Sequence, residues 1–189
     1  MKRIGILGDI GAGKSYIAKC FGFPVFDADK EVGKLYRTNK KIFKKLKKVL
    51  PKYIFTFPIK KDEISNAILT KNSNLKKIIN IIHFEVRKKM NLFLKRNRYR
   101  KLIILDIPLL LENKLDKKED ILIFIQSKRS KVLLNLKKRK NFNKKLINKF
   151  RNIQLPLDYK KKKSHFIIKN NFTNKSVKKE IKYILKKIL

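Results

Sequence analysis

The chain has little acid. Only 14 Asp and Glu stand against 52 Lys and Arg, a formal net charge of +38. It has one cysteine, Cys20, so an internal disulfide and a zinc cluster are both excluded. A lone thiol suits a reducing compartment, where it packs as a small apolar residue. No apolar run reaches the ~20 residues of a membrane span. A strand is expected to begin almost at Met1, so no signal peptide is expected. The expectation is a cytoplasmic protein without membrane association. Repeats, linkers and a second independent domain are absent from the pattern. At 189 residues and 43% hydrophobic, the chain suits a single globular domain burying roughly 70% of its unfolded surface.

The charge invites a nucleic-acid reading, but the lysines are spread over every expected helix face and few aromatics interleave with them. Lys, Asn, Ile and Phe abound together, as they do when base composition favours A/T-rich codons. The expectation is non-specific polyanion binding without a specific nucleic-acid function, and a fold that gains stability from moderate salt.

Glycine is also scarce, at six residues, yet Gly8, Gly11 and Gly13 fall within one octet, Gly8-Asp-Ile-Gly-Ala-Gly-Lys14-Ser15. That octet fits G-x-x-x-x-G-K-[ST]. A polyphosphate needs several backbone N–H donors converging on it, so the loop must curl without side chains in the way. Lys14 adds a point charge for the β- and γ-phosphates, and the Ser15 hydroxyl can ligate Mg²⁺. Ile4, Ile6 and Leu7 before it read as a buried strand. Ser15 to Phe21 after it is helix-compatible, and the helix N-terminus favours anions. Strand, glycine loop and helix is the required order. The separate N-K-x-D guanine signature is absent, which argues against a GTPase.

Phe23 to Phe26 reads as a second strand, followed by Asp27-Ala28-Asp29. Two carboxylates at i and i+2 point the same way if the strand continues, beyond the carboxyl end where open α/β sheets bind ligands. The alternative is that Asp29 caps a helix starting near Lys30. Residues 30 to 100 look mostly helical. Ile42, Phe43, Leu46, Val49 and Leu50 keep the 3.6 period until Pro51, and Asp62 is positioned to cap a short helix. A longer helix from about Asn74 to Arg96 carries His83 on its apolar stripe, which by itself favours a satisfied core or cleft-edge histidine. Leu102 to Leu105 ends in Asp106, a Walker-B-like strand whose acid can hold Mg²⁺ through water. Ile107 to Glu112 is an apolar loop suited to a pocket wall. Ile121 to Ile125 and Phe166 to Ile168 are the fourth and fifth strands, and a helix runs from Asn174. Between those strands lie about forty polar residues, with Lys137-Lys138-Arg139-Lys140 and a helix around Lys144 to Gln154. Cations on such a flap can close over phosphates and exclude water.

With these pieces in order, the sequence resembles the dephospho-coenzyme A kinases, P-loop kinases of the nucleoside-monophosphate-kinase type. The resemblance lies in GDIGAGKS, Asp27-Ala28-Asp29, Ile82-His83, Pro108-Leu109-Leu110-Leu111-Glu112, Lys138-Arg139, the Gln154-Leu-Pro-Leu-Asp-Tyr-Lys160-Lys161 run and Ile167-Ile168-Lys169-Asn170. It spans nearly the whole chain. It implies an α/β, three-layer P-loop kinase fold with a five-stranded parallel sheet, a helical substrate-binding insertion over about 30–100 and a lid over about 128–163, all within one domain of residues 1–189. The implied reaction moves the ATP γ-phosphoryl to the ribose 3′-hydroxyl of dephospho-coenzyme A, with Mg²⁺, in a monomer or weak oligomer. Gly11, Ala12, Gly13, Lys14, Ser15 and Tyr16 would hold ATP, with Arg139 acting from the lid and Asn170 near the adenine. Asp29, His83, Pro108 and Leu109 would meet the acceptor. Asp29 is the candidate base and Asp27 its assistant, although the sequence leaves open which of the two deprotonates the hydroxyl.

The pattern departs from the family at Tyr16, Phe84, Asn135, Lys140, Phe150 and His165. The alternatives are another small-molecule P-loop kinase, for a nucleoside monophosphate or small alcohol, and a basic RNA-associated NTPase.

Overall fold

A computed structural model describes residues 1–139 and 142–189. Lys140, the departure in the cationic run, lies outside the described residues. Among the described residues the element order is β1 (Lys2–Gly8), α1 (Lys14–Cys20), β2 (Val25–Asp27), α2 (Ala28–Thr38), α3 (Lys40–Val49), α4 (Lys61–Thr70), α5 (Asn72–Arg96), β3 (Leu102–Asp106), β4 (Ile121–Gln126), α6 (Arg129–Lys137), α7 (Lys144–Arg151), α8 (Leu157–Lys163), β5 (Phe166–Lys169) and α9 (Asn174–Ile188). The strands form one all-parallel sheet in the order β2-β3-β1-β4-β5. This is the three-layer α/β P-loop architecture.

A parallel sheet covered on both faces explains why its strands read as unbroken apolar runs. All five residues of β3 are buried. Ile4 and Ile6 of β1 join Ile104, Ile123, Ile125 and Ile168 in a core closed by Ile17 and Ala18 of α1, by Phe21 just after it, and by Val177, Ile181 and Ile184 of α9. Gly5 faces the other way. A Cβ there would stand 2.5 Å from Leu110 Cδ2 and 2.9 Å from Leu122 Cδ2, so the loop after β3 lies directly on the strand.

The described chain divides into two compact units. One is Met1–Asp27, Asn97–Phe142 and Ile153–Leu189, and the other is Ala28–Arg96 with Asn143–Asn152. The first holds the sheet. The second is helical, built on Ile42 and Leu46 of α3, Ile64, Ala67 and Ile68 of α4, and Leu75, Ile78, Ile82, Val86 and Met90 of α5. Within it α7 packs against α4. Asn39 caps α3 by accepting from the Ile42 N–H at 3.0 Å, and Glu63 accepts the Phe55 N–H at 3.0 Å.

Several local expectations shift. Asp62 is not a cap: Lys60 holds the cap position without a side-chain bond, and Asp62 falls in the first turn of α4, where a carboxylate still suits the helix N-terminus. The chain turns helical at Ala28, not near Lys30, so Asp27 ends a strand while Asp29 sits in a helical first turn. The two acids therefore do not share a strand face. The helix expected over 144 to 154 stops at Arg151, and two unexpected helices, α6 and α8, flank it. Each buries too few side chains to leave a readable stripe. Val132 and Leu136 are the buried positions of α6, and Lys160 that of α8.

Candidate active site

The glycine loop leaves β1 at Gly8 and enters α1 at Lys14. Gly13 is the hinge between them, with φ 91° in the left-handed region. A Cβ there would meet the Asn170 amide nitrogen at 2.5 Å, so both conformation and space require glycine. The Ala12 carbonyl accepts two hydrogen bonds, from Asn170 Nδ2 at 2.8 Å and Ser127 Oγ at 3.0 Å. Ser127 immediately follows β4 and Asn170 immediately follows β5. Two strand ends thus fasten one carbonyl of the loop. Asn170 is 3% exposed and also accepts the Phe172 N–H at 2.9 Å. Lys14 Nζ donates to the carbonyls of Gly8 (3.1 Å) and Asp9 (2.9 Å), which holds the ammonium over the loop.

On the other flank lie two carboxylates. Asp27 ends β2 and Asp106 ends β3, and the two are register partners on neighbouring strands. Asp106 is buried, 3% exposed, so it is not an acid facing solvent. Burial pushes its carboxyl pKa up. A hydrogen bond from Ser15 and the Lys14 charge pull it down, and the neighbouring Asp27 pushes it up again. A hydroxyl and carboxylates are hard oxygen donors, the set that suits Mg²⁺. The spacing Asp27-Ala-Asp29 had pointed to a pair within one segment, whereas the register pairs Asp27 with Asp106. That partnership needs the strand order, which no local pattern carries.

The helix α8, which packs on β1 and β4, carries one end of a buried ion pair. Lys160 Nζ reaches Glu112 Oε1 at 2.7 Å with its side chain 1% exposed. Glu112 Oε1 also accepts the Leu155 N–H at 2.9 Å, and Lys160 donates to Gln154 Oε1 at 3.3 Å. Glu112 Oε2 is buried without a partner among the described residues. These contacts tie the Pro108-Leu-Leu-Leu-Glu loop to the Gln154-Leu-Pro segment and explain why both carry their charged residues. Pro108 and Leu109 are half-buried on that loop, while Leu110 is buried on the sheet. Neither charge has a visible task in the sequence, because each partner lies more than forty residues away.

Arg139 is exposed just past α6, its N–H on the Leu136 carbonyl at 3.1 Å. The Tyr16 hydroxyl donates to Asn174 at the start of α9, which leaves its backbone N–H as the group it can offer a phosphate. At the departure His165, Nδ1 accepts the Leu122 N–H at 3.0 Å, so the histidine extends the β4–β5 pairing.

The helical unit carries the remaining candidates. Asp29 is exposed in the first turn of α2, and its charge adds to the burial that raises the phenol pKa of Tyr36, two turns further on. His83 lies half-buried on α5, and its Nε2 is enclosed without a partner among the described residues. The expectation of a satisfied histidine is therefore corrected. Burial, then the Arg87 charge, pushes its pKa down and keeps the ring neutral. A cavity of about 520 Å³ in the same unit is lined by Lys34, Lys40, Lys41 and Lys89 and by Glu31, which pairs with Lys34 at 2.6 Å.

Among the described residues, no helix is long and apolar enough to cross a membrane.

The chain was compared with known proteins. The dephospho-CoA kinase family model matches residues 2–176. A dephospho-CoA kinase from the Wolbachia of Brugia malayi is 35% identical over 96% of this chain and 95% of its own length, and that of Wolbachia pipientis wMel is 32% identical with the same coverage. Among solved structures, TT1252 from Thermus thermophilus superposes with a TM-score of 0.80 at 23% identity, covering 100% of this chain and 98% of its own. Dephospho-CoA kinase from Campylobacter jejuni gives a TM-score of 0.63 at 19% identity, covering 99% and 97%.

Proposed function

The chain belongs to the dephospho-CoA kinase family, and we propose that two groups of its residues divide that family's reaction between them. The enzyme is an ATP-dependent kinase that transfers the γ-phosphoryl to the ribose 3′-hydroxyl of dephospho-CoA, the last step of coenzyme A biosynthesis. The first group handles the donor. Backbone N–H groups of Gly11 to Tyr16 and the Lys14 ammonium hold the ATP phosphates, and Arg139 closes over them from a lid spanning about 128–163. Ser15, with Asp106 and Asp27 through water, would hold Mg²⁺, which supplies charge neutralisation on the phosphate oxygens.

The second group handles the acceptor. Asp29 accepts the 3′-hydroxyl proton as that oxygen bonds to the γ-phosphorus. The bond from phosphorus to the β,γ-bridging oxygen breaks, and ADP leaves. Asp27 supports the approach electrostatically, and His83, Pro108 and Leu109 border the acceptor, with the helical segment over about 30–100 as its binding insertion. The protein's share is positioning and charge stabilisation. The reaction belongs to the cytoplasm. The enzyme acts as a monomer or weak oligomer, and polyanions bind it through charge without sequence preference.

The observation that carries this reading is the burial of Asp106 at the end of β3, in register with Asp27 and close enough to Ser15 and Lys14 for both to pull its pKa down. Acceptor dependence tests it. ADP release with ATP and Mg²⁺ is expected with dephospho-CoA, the new phosphate on the 3′-oxygen, and not with nucleoside monophosphates or shikimate. Equal turnover with those acceptors, or RNA-stimulated hydrolysis, would remove the reading.

A further inference from the structure

One residue beside the glycine loop is held in a conformation its side chain does not favour. Phe172 has φ 65°, in the left-handed region. Glycine and asparagine enter that region readily, whereas a bulky residue pays a cost that the surroundings must over-determine. Here they do. The Phe172 N–H is fixed on Asn170 Oδ1 at 2.9 Å, and the same Asn170 side chain is fixed on the Ala12 carbonyl. The result sets the ring against the loop: Phe172 Cε1 lies 3.6 Å from where a Cβ on Gly13 would be. The ring is half-buried, with the rest of its surface open.

The direction of the bound nucleotide follows from the strand order. The loop leaves β1, the central strand of β2-β3-β1-β4-β5. Asp27 and Asp106, on β2 and β3, mark the flank where Ser15 bonds and the transferred phosphate must lie. A polyphosphate with its γ end on that flank runs its nucleoside end toward the opposite one, at β4 and β5. Phe172 stands there, two residues past the Asn170 that follows β5.

From this we propose that Phe172 is the stacking platform for the base of ATP, a specificity-determining residue whose strained backbone aims the ring at the nucleoside. The proposal rests on the reading that the phosphates occupy the loop from Gly8 to Ser15. A flat aromatic face receives a purine by stacking, without hydrogen-bond readout, so it favours a nucleotide with a large base over a bare phosphate chain.

The test separates base from phosphates. Phe172→Asn keeps a residue at home in the left-handed region and removes the ring. It should raise KM for ATP about tenfold, the scale of one base–aromatic stack, and leave kcat within about twofold. Inhibition by inorganic tripolyphosphate, which has no base, should be unchanged. Phe172→Tyr should restore the ATP KM, and Phe172→Leu, which keeps apolar bulk, should not. If ATP and tripolyphosphate weaken together, the ring merely props the loop, and the proposal is overturned. An unchanged KM for ATP overturns it as well. Lys14→Ala serves as the separate control: if tripolyphosphate binds that variant as well as the parent, the phosphates are not on the loop and the underlying reading fails instead.

Discussion

The sheet-bearing unit and the helical unit hold their functional groups by different means. In the first, polar groups are fastened to strand ends by buried hydrogen bonds. The Ala12 carbonyl takes two, and Lys160 and Glu112 close an ion pair at 2.7 Å. In the second, the candidates sit on helix faces whose inner sides are apolar. Asp29 is exposed and the enclosed Nε2 of His83 lacks a protein partner among the described residues. A buried polar group without a partner costs free energy in the free protein. Such a group is affordable where a substrate completes it. Each unit keeps such an atom, Glu112 Oε2 in the first and His83 Nε2 in the second, so the contrast lies in how the candidate groups are held, by strand-end hydrogen bonds in one and on helix faces in the other.

The contrast is broken or sharpened first by paired kinetics. Lys14→Ala should lower kcat about a thousandfold, the upper range for one preorganised charge-stabilising group, with the fold intact. Asp29→Asn should lower kcat about a hundredfold, as loss of a general base does, while KM for ATP stays within about twofold. Steady-state rates of ADP release with each substrate varied in turn decide it. If Asp29→Asn weakens ATP as much as it slows turnover, the acid serves the donor and the proposed division of roles is wrong.

The second prediction concerns how firmly the sheet-bearing unit is built. Lys160→Met leaves Glu112 buried and unpaired and should cost ~3–5 kcal/mol, as breaking a buried pair does. Adding Glu112→Gln removes the orphaned charge and keeps an acceptor for the Leu155 N–H, so the double variant should unfold at higher urea than Lys160→Met alone. Additive losses would mean that the two charges do not act as a pair.

The same difference explains what was readable in the sequence. The loop, the Asp106 strand end and the five strands declare themselves because turns need glycine at fixed places and doubly covered strands need unbroken apolar runs. The helical unit declares its core, since Leu75, Ile78, Ile82, Val86 and Met90 keep the helical period, and nothing about its site. A stripe shows which face is inside, and His83 on that stripe reads as one more core residue. That its Nε2 has no partner among the described residues depends on the folded surroundings, which no stripe records. The pairing of Asp27 with Asp106, the fastening of Ala12 by Ser127 and Asn170, and the Glu112–Lys160 pair all link residues distant in sequence. They depend on strand order and register, which are global properties. Asp27 and Asp29, two residues apart, would share a face only if the strand continued, and the change from strand to helix falls between them.

The smallest expected effect is at His83, and its sign is what matters. Its pKa in the folded chain lies below the ordinary ~6.5, so folding favours the neutral ring. A depressed folded pKa contributes stability that is present above the unfolded value and is lost as pH falls through the folded one. His83→Leu removes that acid-side loss and the unpartnered nitrogen together. Its thermal midpoint should therefore exceed the parent's, by a margin that widens from pH 8 to pH 5. If Nε2 is completed by the acceptor, the same variant should raise KM for dephospho-CoA about fivefold, the worth of one hydrogen bond, with KM for ATP unmoved. A gain in stability without a change in either KM would make His83 a misplaced core residue and remove it from the proposed acceptor group.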